Sequence, residues 1–258
     1  MTAEIHPTAL IDPGTRLGPG TSVGPFAVLG PGVDIGPETV IGPHVVILRD
    51  TTVGSRCTVG VGAVLGADPQ DLKYRGEVTR LEVGDDTTIR EYATLHRGTA
   101  ATGRTVVGQR CYLMAYVHVA HDCVIEDDVV LANAVQLAGH VHVERQASVG
   151  GLTPVHQFVR IGRLAFVGGG SRVPQDVPPF ARAAGNPMKL YGINSTGLTR
   201  AGVPAEIRAA LKHAFRLLFN SHLGVSQAVE RLRVESAHVP EVMQLVDFVV
   251  TSQRGVLV

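Results

Sequence analysis

Every sixth residue from Ile5 to Val173 is isoleucine, leucine or valine, apart from Asp71, Glu77 and Ala101. This spacing fits neither an isolated α-helix, with about 3.6 residues per turn, nor an isolated strand, whose side chains alternate between two faces. A six-residue repeat is instead typical of a parallel β-helix, a prism around which short strands wind. Three repeats make one coil of about 18 residues, with sides of roughly 20 Å at about 3.3 Å per residue. The repeat therefore predicts an all-β domain of stacked coils.

Two further positions of the repeat agree with this fold. The residue after the aliphatic one is often glycine, as at Gly18 and Gly24, and we expect a tight corner with unusual backbone angles there. The fourth residue after the aliphatic one is usually small, which suits a narrow interior. All three cysteines, Cys57, Cys111 and Cys123, occupy this position. They are expected to be buried free thiols, which fits a reducing cytoplasm.

Two polar segments interrupt the repeat, residues 67–82 and residues 98–105. Because the repeat is strict elsewhere, we interpret both as functional loops that form walls of a binding cleft. A proline-rich stretch then ends the solenoid, and beyond Pro204 apolar residues recur at helical spacing. The sequence predicts a β-helix over residues 1–190 and a C-terminal α-helical domain over residues 191–258.

The charge balance and the absence of long apolar runs limit the possible partners. The chain has 23 basic and 23 acidic residues, which argues against nucleic-acid binding and against a polybasic membrane patch. No apolar run approaches the ~20 residues of a membrane span, and the first residues do not resemble a signal peptide. We therefore expect a cytoplasmic protein.

The positions of the histidines are the main indication of a functional site. Counted along the coil, His121, His140 and His156 fall at about the same angle on three successive coils, near one corner. Gly139 and Gln157 lie directly above His121, one and two coils later. Such a line of imidazoles favours a substrate groove over solvated surface histidines or a zinc site. Zinc needs converging ligands, whereas this spacing predicts a line, so we expect no metal and no cofactor.

His121 and Asp122 form a candidate catalytic pair. A carboxylate beside an imidazole raises its basicity and fixes its tautomer, and such a base can deprotonate a sugar hydroxyl. Because adjacent side chains usually point to opposite faces, we expect Asp122 to act through the backbone or a water molecule. Gly139 can offer an unobstructed backbone N–H to an oxyanion. No serine or cysteine motif indicates a covalent acyl-enzyme, so we expect the acceptor to attack a thioester directly.

An ordered set of motifs carries a family resemblance over nearly the whole chain. The motifs are residues 70–74, 89–91, 95–99, 118–123, 137–140, 155–158, 175–179, 185–186 and 197–200. Together they resemble the acyl-ACP:UDP-N-acetylglucosamine O-acyltransferase family of lipid A biosynthesis. The resemblance implies a left-handed parallel β-helix of hexapeptide repeats with a C-terminal α-helical domain. It also implies a homotrimer with active sites between subunits, which transfers a 3-hydroxyacyl group from acyl carrier protein to the glucosamine 3-OH of UDP-N-acetylglucosamine.

By motif match, the resemblance implies roles for single residues. His121 would be the general base, Asp122 its partner and the Gly139 N–H the oxyanion donor. The substrate-binding residues would be Asp71, Lys73, His96, His118, His140, His156, Gln157, Asn194 and Arg200, the last two at the nucleotide or phosphopantetheine end. Gly169 falls at the family's acyl-length ruler. Without a side chain there, the chain is expected to accept a longer acyl group than members with a bulky residue.

The sequence also departs from the family pattern, and alternatives remain open. Ala201 stands where the family has a second basic residue, and Ser195 and Thr196 stand where some members carry an acid. The alternatives are N-acylation of a 3-amino UDP-sugar, a zinc-binding trimer of the γ-carbonic anhydrase type and a non-enzymatic solenoid scaffold. A related N-acyltransferase that acts later in lipid A synthesis carries an N-terminal domain, whereas this repeat starts at Ile5.

Overall fold

The computed structural model describes residues 2–257, with short strands in the first three quarters of the chain and helices after them. The strands are β1 (Glu4–Ile5), β2 (Leu10–Ile11), β3 (Arg16–Leu17), β4 (Ser22–Val23), β5 (Val28–Leu29), β6 (Asp34–Ile35), β7 (Val40–Ile41), β8 (Val46–Ile47), β9 (Thr51–Val53), β10 (Thr58–Val59), β11 (Val64–Ala67), β12 (Arg80–Val83), β13 (Thr88–Ile89), β14 (Thr94–His96), β15 (Arg104–Val107), β16 (Tyr112–Leu113), β17 (His118–Val119), β18 (Val124–Ile125), β19 (Val130–Leu131), β20 (Gln136–Leu137), β21 (His142–Val143), β22 (Ser148–Val149), β23 (Pro154–Val155), β24 (Arg160–Ile161), β25 (Phe166–Val167), β26 (Ala181–Ala184) and β27 (Lys189–Ile193). The helices are α1 (Ser195–Arg200), α2 (Ala205–Phe219), α3 (Val225–Glu235) and α4 (Pro240–Thr251).

Within residues 2–257 the strands form three sheets of 11, 8 and 8 strands, and every third strand is a neighbour. We name them sheet A (β1 to β27), sheet B (β2 to β23) and sheet C (β3 to β24). Pairing is parallel apart from the antiparallel pair β26 and β27. Up to Ile161, each aliphatic residue of the repeat that lies in a strand pairs with an aliphatic residue one coil later, as Ile5 does with Val23. The fold is a left-handed parallel β-helix followed by helices, which confirms the predicted fold class.

The repeat continues in register because both insertions are multiples of six residues. Ile5 and Val23, partners in an uninterrupted coil, are 18 positions apart. Leu65 and its partner Leu95 are 30 positions apart, and Leu95 and its partner Val119 are 24 apart. The insertions therefore add 12 and 6 residues.

The loops themselves are shorter than the sequence indicated. Loop 1, residues 68–79, joins β11 to β12, and loop 2, residues 97–103, joins β14 to β15. The expected bounds, 67–82 and 98–105, are wrong by a few residues. The reason is that β12 and β15 are four residues long and start before the aliphatic repeat resumes.

Large aliphatic and small residues together fill the prism. Leu29 and Ile47 are fully buried, and so are Ala27 and Ala63 at the small position. The three cysteines are buried and unpaired, as predicted. Burial raises the pKa of Cys123 to about 12, so this thiol stays protonated and unreactive.

The glycine after each aliphatic residue has a different cause from the one expected. The left-handed backbone conformation occurs two residues later, with φ of +75° at Gly20 and +58° at Glu38. At Gly18 itself, a Cβ atom would lie only 2.4 Å from the backbone nitrogen of Pro37 in the next coil. Glycine is therefore needed there because the stacked corners approach closely.

A second apolar cluster holds the helices against the last coil. Phe180, Leu198, Leu211, Leu218 and Val246 are buried together in it. The division of the chain at residue 190 stays a prediction. Among the helices of the described chain, none is long and apolar enough to cross a membrane.

Candidate active site

Both loops leave the prism at the corner between sheets B and C. We name this the histidine corner, formed by residues 120–122, 138–140 and 156–158 of three successive coils. Loops 1 and 2 start from the same corner in the two preceding coils. The insertions and the histidines that the sequence singled out therefore meet on one edge of the molecule.

His121 and Asp122 contact each other directly, with His121 Nδ1 2.8 Å from Asp122 Oδ2. The expectation of an indirect contact is wrong. Asp122 has a φ of +61°, and this left-handed turn brings two adjacent side chains to the same side. The His121 ring is 14% exposed and the Asp122 carboxyl is fully buried. With Nδ1–H donated to the carboxylate, Nε2 remains as a hydrogen-bond acceptor and proton acceptor.

Loop 2 surrounds the Asp122 carboxylate with donors. Oδ1 accepts from the Thr99 N–H at 2.9 Å and from the Thr102 hydroxyl, and Oδ2 accepts from the Thr99 hydroxyl at 2.7 Å. Burial raises the pKa of Asp122, but the hydrogen bonds from Thr102, His121 and Thr99 outweigh it and hold the pKa below its usual value. The carboxylate is therefore an anion at neutral pH.

His121, Asp122 and His140 bring three potential metal-ligand atoms within 4.8 Å of one another. The third ligand atom belongs to Asp122, which the predicted line of histidines did not include. A carboxylate has about four lone-pair positions, and on Asp122 hydrogen bonds from His121, Thr99 and Thr102 occupy all of them. The arrangement suits a carboxylate that orients His121 rather than one that binds a metal.

Gly139 lies directly over His121, as the repeat predicted. A Cβ atom on Gly139 would lie 2.5 Å from His121 Cε1 and 2.8 Å from Nε2. A larger residue would therefore displace the imidazole. Among residues 2–257, the Gly139 N–H has no hydrogen-bond acceptor. It can donate to a ligand bound beside Nε2.

His140 packs between His121 and Phe158. Its ring meets His121 edge-on, with centroids 5.2 Å apart, and stacks face to face on Phe158 at 4.4 Å. His156 does not continue this column; it is exposed, with Nδ1 3.1 Å from the Gln157 carbonyl oxygen. Side chains 18 positions apart stack on one another, and Phe158 stands 18 positions after His140. The predicted column of three imidazoles is therefore a column of two that ends on a phenylalanine.

Two more histidines lie just below this column. His118 Nδ1 is 2.8 Å from the Thr94 hydroxyl, and the His118 ring meets His96 edge-on at 5.1 Å. His96 Nδ1 is 2.6 Å from the Asp68 carbonyl oxygen. Burial lowers the pKa of His118 to about 4, helped by nearby His96 and His121, and burial also lowers the pKa of His96. Both rings are uncharged at neutral pH and can donate and accept hydrogen bonds.

Arg97 fixes the base of loop 1. Its side chain is buried, and it donates to the Asp68 carboxylate and to the Tyr74 hydroxyl at 3.1 Å. At the tip of the loop, Asp71 Oδ1 accepts from the backbone N–H of Lys73 at 2.9 Å. The anchored base thus presents a tip with an exposed lysine side chain.

Comparison with known proteins agrees with this geometry. Residues 176–257 match the family model described as Udp N-acetylglucosamine O-acyltransferase, domain 2, and residues 14–49 and 104–139 match the bacterial transferase hexapeptide model. The chain is 47% identical over 210 residues to the acyl-[acyl-carrier-protein]–UDP-N-acetylglucosamine O-acyltransferase of Gloeothece citriformis, covering 80% of this chain and 76% of that protein. The protein of the same name from Alkalilimnicola ehrlichii is 49% identical over 196 residues, 76% of each chain.

Solved structures agree over the full length. The UDP-N-acetylglucosamine O-acyltransferase of Moraxella catarrhalis superimposes with a TM-score of 0.96 at 41% identity, covering 100% of both chains. The LpxA structure from Acinetobacter baumannii gives 0.96 at 39% identity, over 98% of this chain and 99% of that one. The chain belongs to the UDP-N-acetylglucosamine O-acyltransferase family. The resemblance predicted from the motifs is confirmed.

A single chain of this O-acyltransferase family member does not bring all of the predicted site residues together. Gly169 is exposed at the corner between sheets A and B, where a Cβ would lie 3.2 Å from the Gly151 carbonyl oxygen. Asn194 and Arg200 line a cavity of about 640 Å³ beside Asp128. Asn194 also caps α1 by accepting from the N–H of Gly197. The roles assigned to all of the site residues stay predictions.

Sequence reasoning missed several residues that shape this acyltransferase site. Thr99 and Thr102 contact Asp122, but they lie in a loop whose residues the repeat does not place. Arg97, which anchors loop 1, lies outside the repeat for the same reason. The contact of Phe158 with His140 could have been predicted, since Phe158 stands one coil of 18 residues after His140.

Proposed function

We propose that this chain transfers a 3-hydroxyacyl group from acyl carrier protein to the glucosamine 3-OH of UDP-N-acetylglucosamine, the first step of lipid A biosynthesis. The observation that carries the proposal is the His121–Asp122 contact of 2.8 Å beside Gly139, whose N–H has no acceptor among residues 2–257. A hydroxyl acceptor needs a base and a thioester carbonyl needs an oxyanion donor, and this corner offers both. The names of the relatives supply the two substrates.

His121 acts as the general base in this proposal. Nε2 takes the proton from the sugar hydroxyl as its oxygen attacks the thioester carbonyl carbon. The new C–O bond forms, and the carbonyl π electrons move onto oxygen, where the Gly139 N–H donates to the oxyanion. Collapse restores the carbonyl and breaks the C–S bond, and the leaving thiolate of the carrier takes the proton from His121. Asp122 stays ionised and stabilises the transient imidazolium.

The remaining histidines bind substrate in this account. His96 and His118 are neutral because burial lowers their pKa values. A neutral imidazole both donates and accepts, which suits sugar hydroxyls. We assign His140, Asp71 and Lys73 to the nucleotide sugar as well, and His156 and Gln157 to the upper end of the same groove.

We infer a homotrimer in which a second copy supplies Asn194 and Arg200. These two residues line a cavity on a different corner from His121, so one chain does not place them beside its own base. The surface offers apolar side chains that a second copy would cover. Leu72 at the tip of loop 1 is 96% exposed, and Tyr92 stacks on Tyr116 at an exposed corner, with centroids 5.4 Å apart. Mass photometry should give three times the chain mass.

We also propose a cytoplasmic location. The carrier-protein thioester is the donor in this reaction, and such carriers work in the cytoplasm. The three unpaired cysteines suit a reducing compartment.

The product of the purified chain tests the proposal. Wild-type protein is incubated with UDP-N-acetylglucosamine and 3-hydroxyacyl carrier proteins of graded chain length, and products are analysed by mass spectrometry. We expect one ester product, with a long acyl chain preferred because Gly169 has no side chain. Gly169→Met should shift the preference to shorter donors.

The alternatives give different results in the same assay. A product formed only with the 3-amino UDP-sugar would assign the chain to N-acylation. If neither sugar is acylated by any donor, the acyltransferase proposal is wrong. Bound zinc in the purified protein would then favour the zinc-binding trimer, and its absence the scaffold.

A further inference from the structure

The contacts of loop 2 converge on one side chain, the carboxylate of Asp122. The Thr99 N–H and hydroxyl bond to different oxygens of this carboxylate, at 2.9 Å and 2.7 Å. The Thr102 hydroxyl bonds to Oδ1. Loop 2 thus supplies three of the four hydrogen bonds to the carboxylate, and His121 supplies the fourth. The backbone of Asp122 is also held, since its N–H donates to the Thr105 hydroxyl at 2.8 Å.

We propose that Thr99 and Thr102 are positioning residues for the acyl transfer. They hold the Asp122 carboxylate in the orientation in which Oδ2 faces His121 Nδ1. They act through Asp122 and His121 and contact no reacting atom. The inference rests on the proposed function, because it gives loop 2 a part in that reaction.

The directions of these hydrogen bonds are well defined. The Thr99 hydroxyl accepts from the Ala101 N–H at 3.2 Å, which leaves its own proton for Asp122. The Thr102 hydroxyl has one proton and two acceptors in reach, Asp122 and the Arg104 carbonyl oxygen at 2.8 Å. A carboxylate is the stronger acceptor, so the proton points to Asp122. Without these donors the carboxylate can rotate about its broad terminal torsion and lose its alignment with the imidazole.

The groups around Asp122 determine the sign of the pH effect. The titratable groups facing it are the His121 ring, the His140 ring with Nε2 at 3.6 Å, and the thiol of Cys123. Loop 2 and β15 contact it only through hydroxyls and a backbone N–H, which do not titrate. Removing a donor lets the carboxylate turn away from His121 Nδ1, so the imidazolium loses the hydrogen bond that stabilises it and the coupled His121–Asp122 pair binds a proton less tightly. The acid limb of the pH–rate profile therefore moves to lower pH.

Thr102→Val is the most informative variant, because Thr102 is exposed and we expect its replacement to leave the fold intact. We expect kcat to fall roughly 10-fold, as for loss of a hydrogen bond to a charged group, with both KM values unchanged. The acid limb should move to lower pH by about half a pH unit or more. Thr102→Ser should restore kcat and the profile. Thr99→Val should act in the same direction, and the double variant should be slower than either.

Thr52→Val is the matched control, since Thr52 is exposed on β9 and its hydroxyl bonds to no described residue. Thr52→Val should match wild type in kcat and in its pH–rate profile. The inference is overturned if Thr102→Val keeps wild-type kcat. It is also overturned if kcat falls but the pH–rate profile does not shift and Thr102→Ser does not restore kcat. A crystal structure of the double variant gives a readout independent of activity. A carboxylate turned away from His121 supports the inference, and an unmoved one overturns it. If wild type makes no product, the proposed function fails, and this structural readout still decides the role of loop 2.

Discussion

Asp122 and His140 both adopt the left-handed backbone conformation, with φ of +61° and +63°. Residues other than glycine rarely adopt it, although aspartate and histidine are among those that do so more often. Because both residues occupy the same position of successive coils, their side chains project on the same side of the corner. This places His140 beside the His121 ring. At the residue scale, the left-handed backbone of the corner therefore brings the side chains of the site together.

Gly139→Ala tests how closely this corner is packed. The added methyl would lie 2.5 Å from His121 Cε1, so the ring must move away from Asp122 and from the position beside the Gly139 N–H. We expect kcat to fall by about 10² to 10³, the range for loss of an oxyanion contact. Gly14→Ala is the control, because it lies at the same kind of corner near the N-terminus, where the nearest contact is the Asp12 side chain at 3.2 Å. Full activity of Gly139→Ala in steady-state assays would contradict this account.

At the residue scale the sequence predicted the position of Gly139 but not the contacts around Asp122. The 18-residue coil correctly placed Gly139 over His121. The direct His121–Asp122 contact was not predictable from strand alternation, because it depends on the left-handed φ of Asp122. Thr99 and Thr102 were not predictable either, since the repeat does not set the path of loop 2.

At the element scale the repeating unit is the coil, and successive coils approach each other most closely at their corners. Gly54 shows this at the corner between sheets C and A. A Cβ there would lie 2.7 Å from the backbone nitrogen of Asp85 and 2.8 Å from the carbonyl carbon of Gly84 in the next coil. Backbone atoms of a stacked corner cannot move aside as a flexible side chain can.

Gly54→Ala should therefore destabilise the coil stack. We expect a loss of about 1–3 kcal/mol in the free energy of unfolding, typical of overpacking, seen as a lower midpoint in thermal unfolding. Gly224→Ala is the matched control, because its nearest neighbour is Gln227 Oε1 at 3.8 Å. The free energy of unfolding of Gly224→Ala should fall by less than about 1 kcal/mol, the range for a change at a helix N-cap. Equal midpoints for the two variants would show that close stacking does not explain these glycines.

The strands and their register follow from the sequence because each coil contacts only its neighbours. One aliphatic residue per six therefore contains most of the information needed for β1 to β25. The bounds of loops 1 and 2 do not follow, since β12 and β15 extend beyond the repeat. Helix α1 was also missed. Its apolar pattern is short, and its start depends on Asn194, which accepts from the Gly197 N–H.

On the scale of the whole molecule, three sheets create three corners with different surfaces. The histidine corner carries the predicted base and both loops. The corner between sheets C and A borders the cavity of Asn194 and Arg200. An assembly of several copies would bring two such corners together, which is why the trimer belongs to the proposed mechanism.

The most direct test of the central claim is acyl transfer by His121→Ala. The variant is compared with wild type and with His238→Ala, an exposed histidine outside the site, using UDP-N-acetylglucosamine and the preferred 3-hydroxyacyl carrier protein. Removal of the base should lower kcat by about 10² to 10⁴ while the protein stays folded, and His238→Ala should match wild type. A folded His121→Ala protein that keeps wild-type kcat would contradict the account.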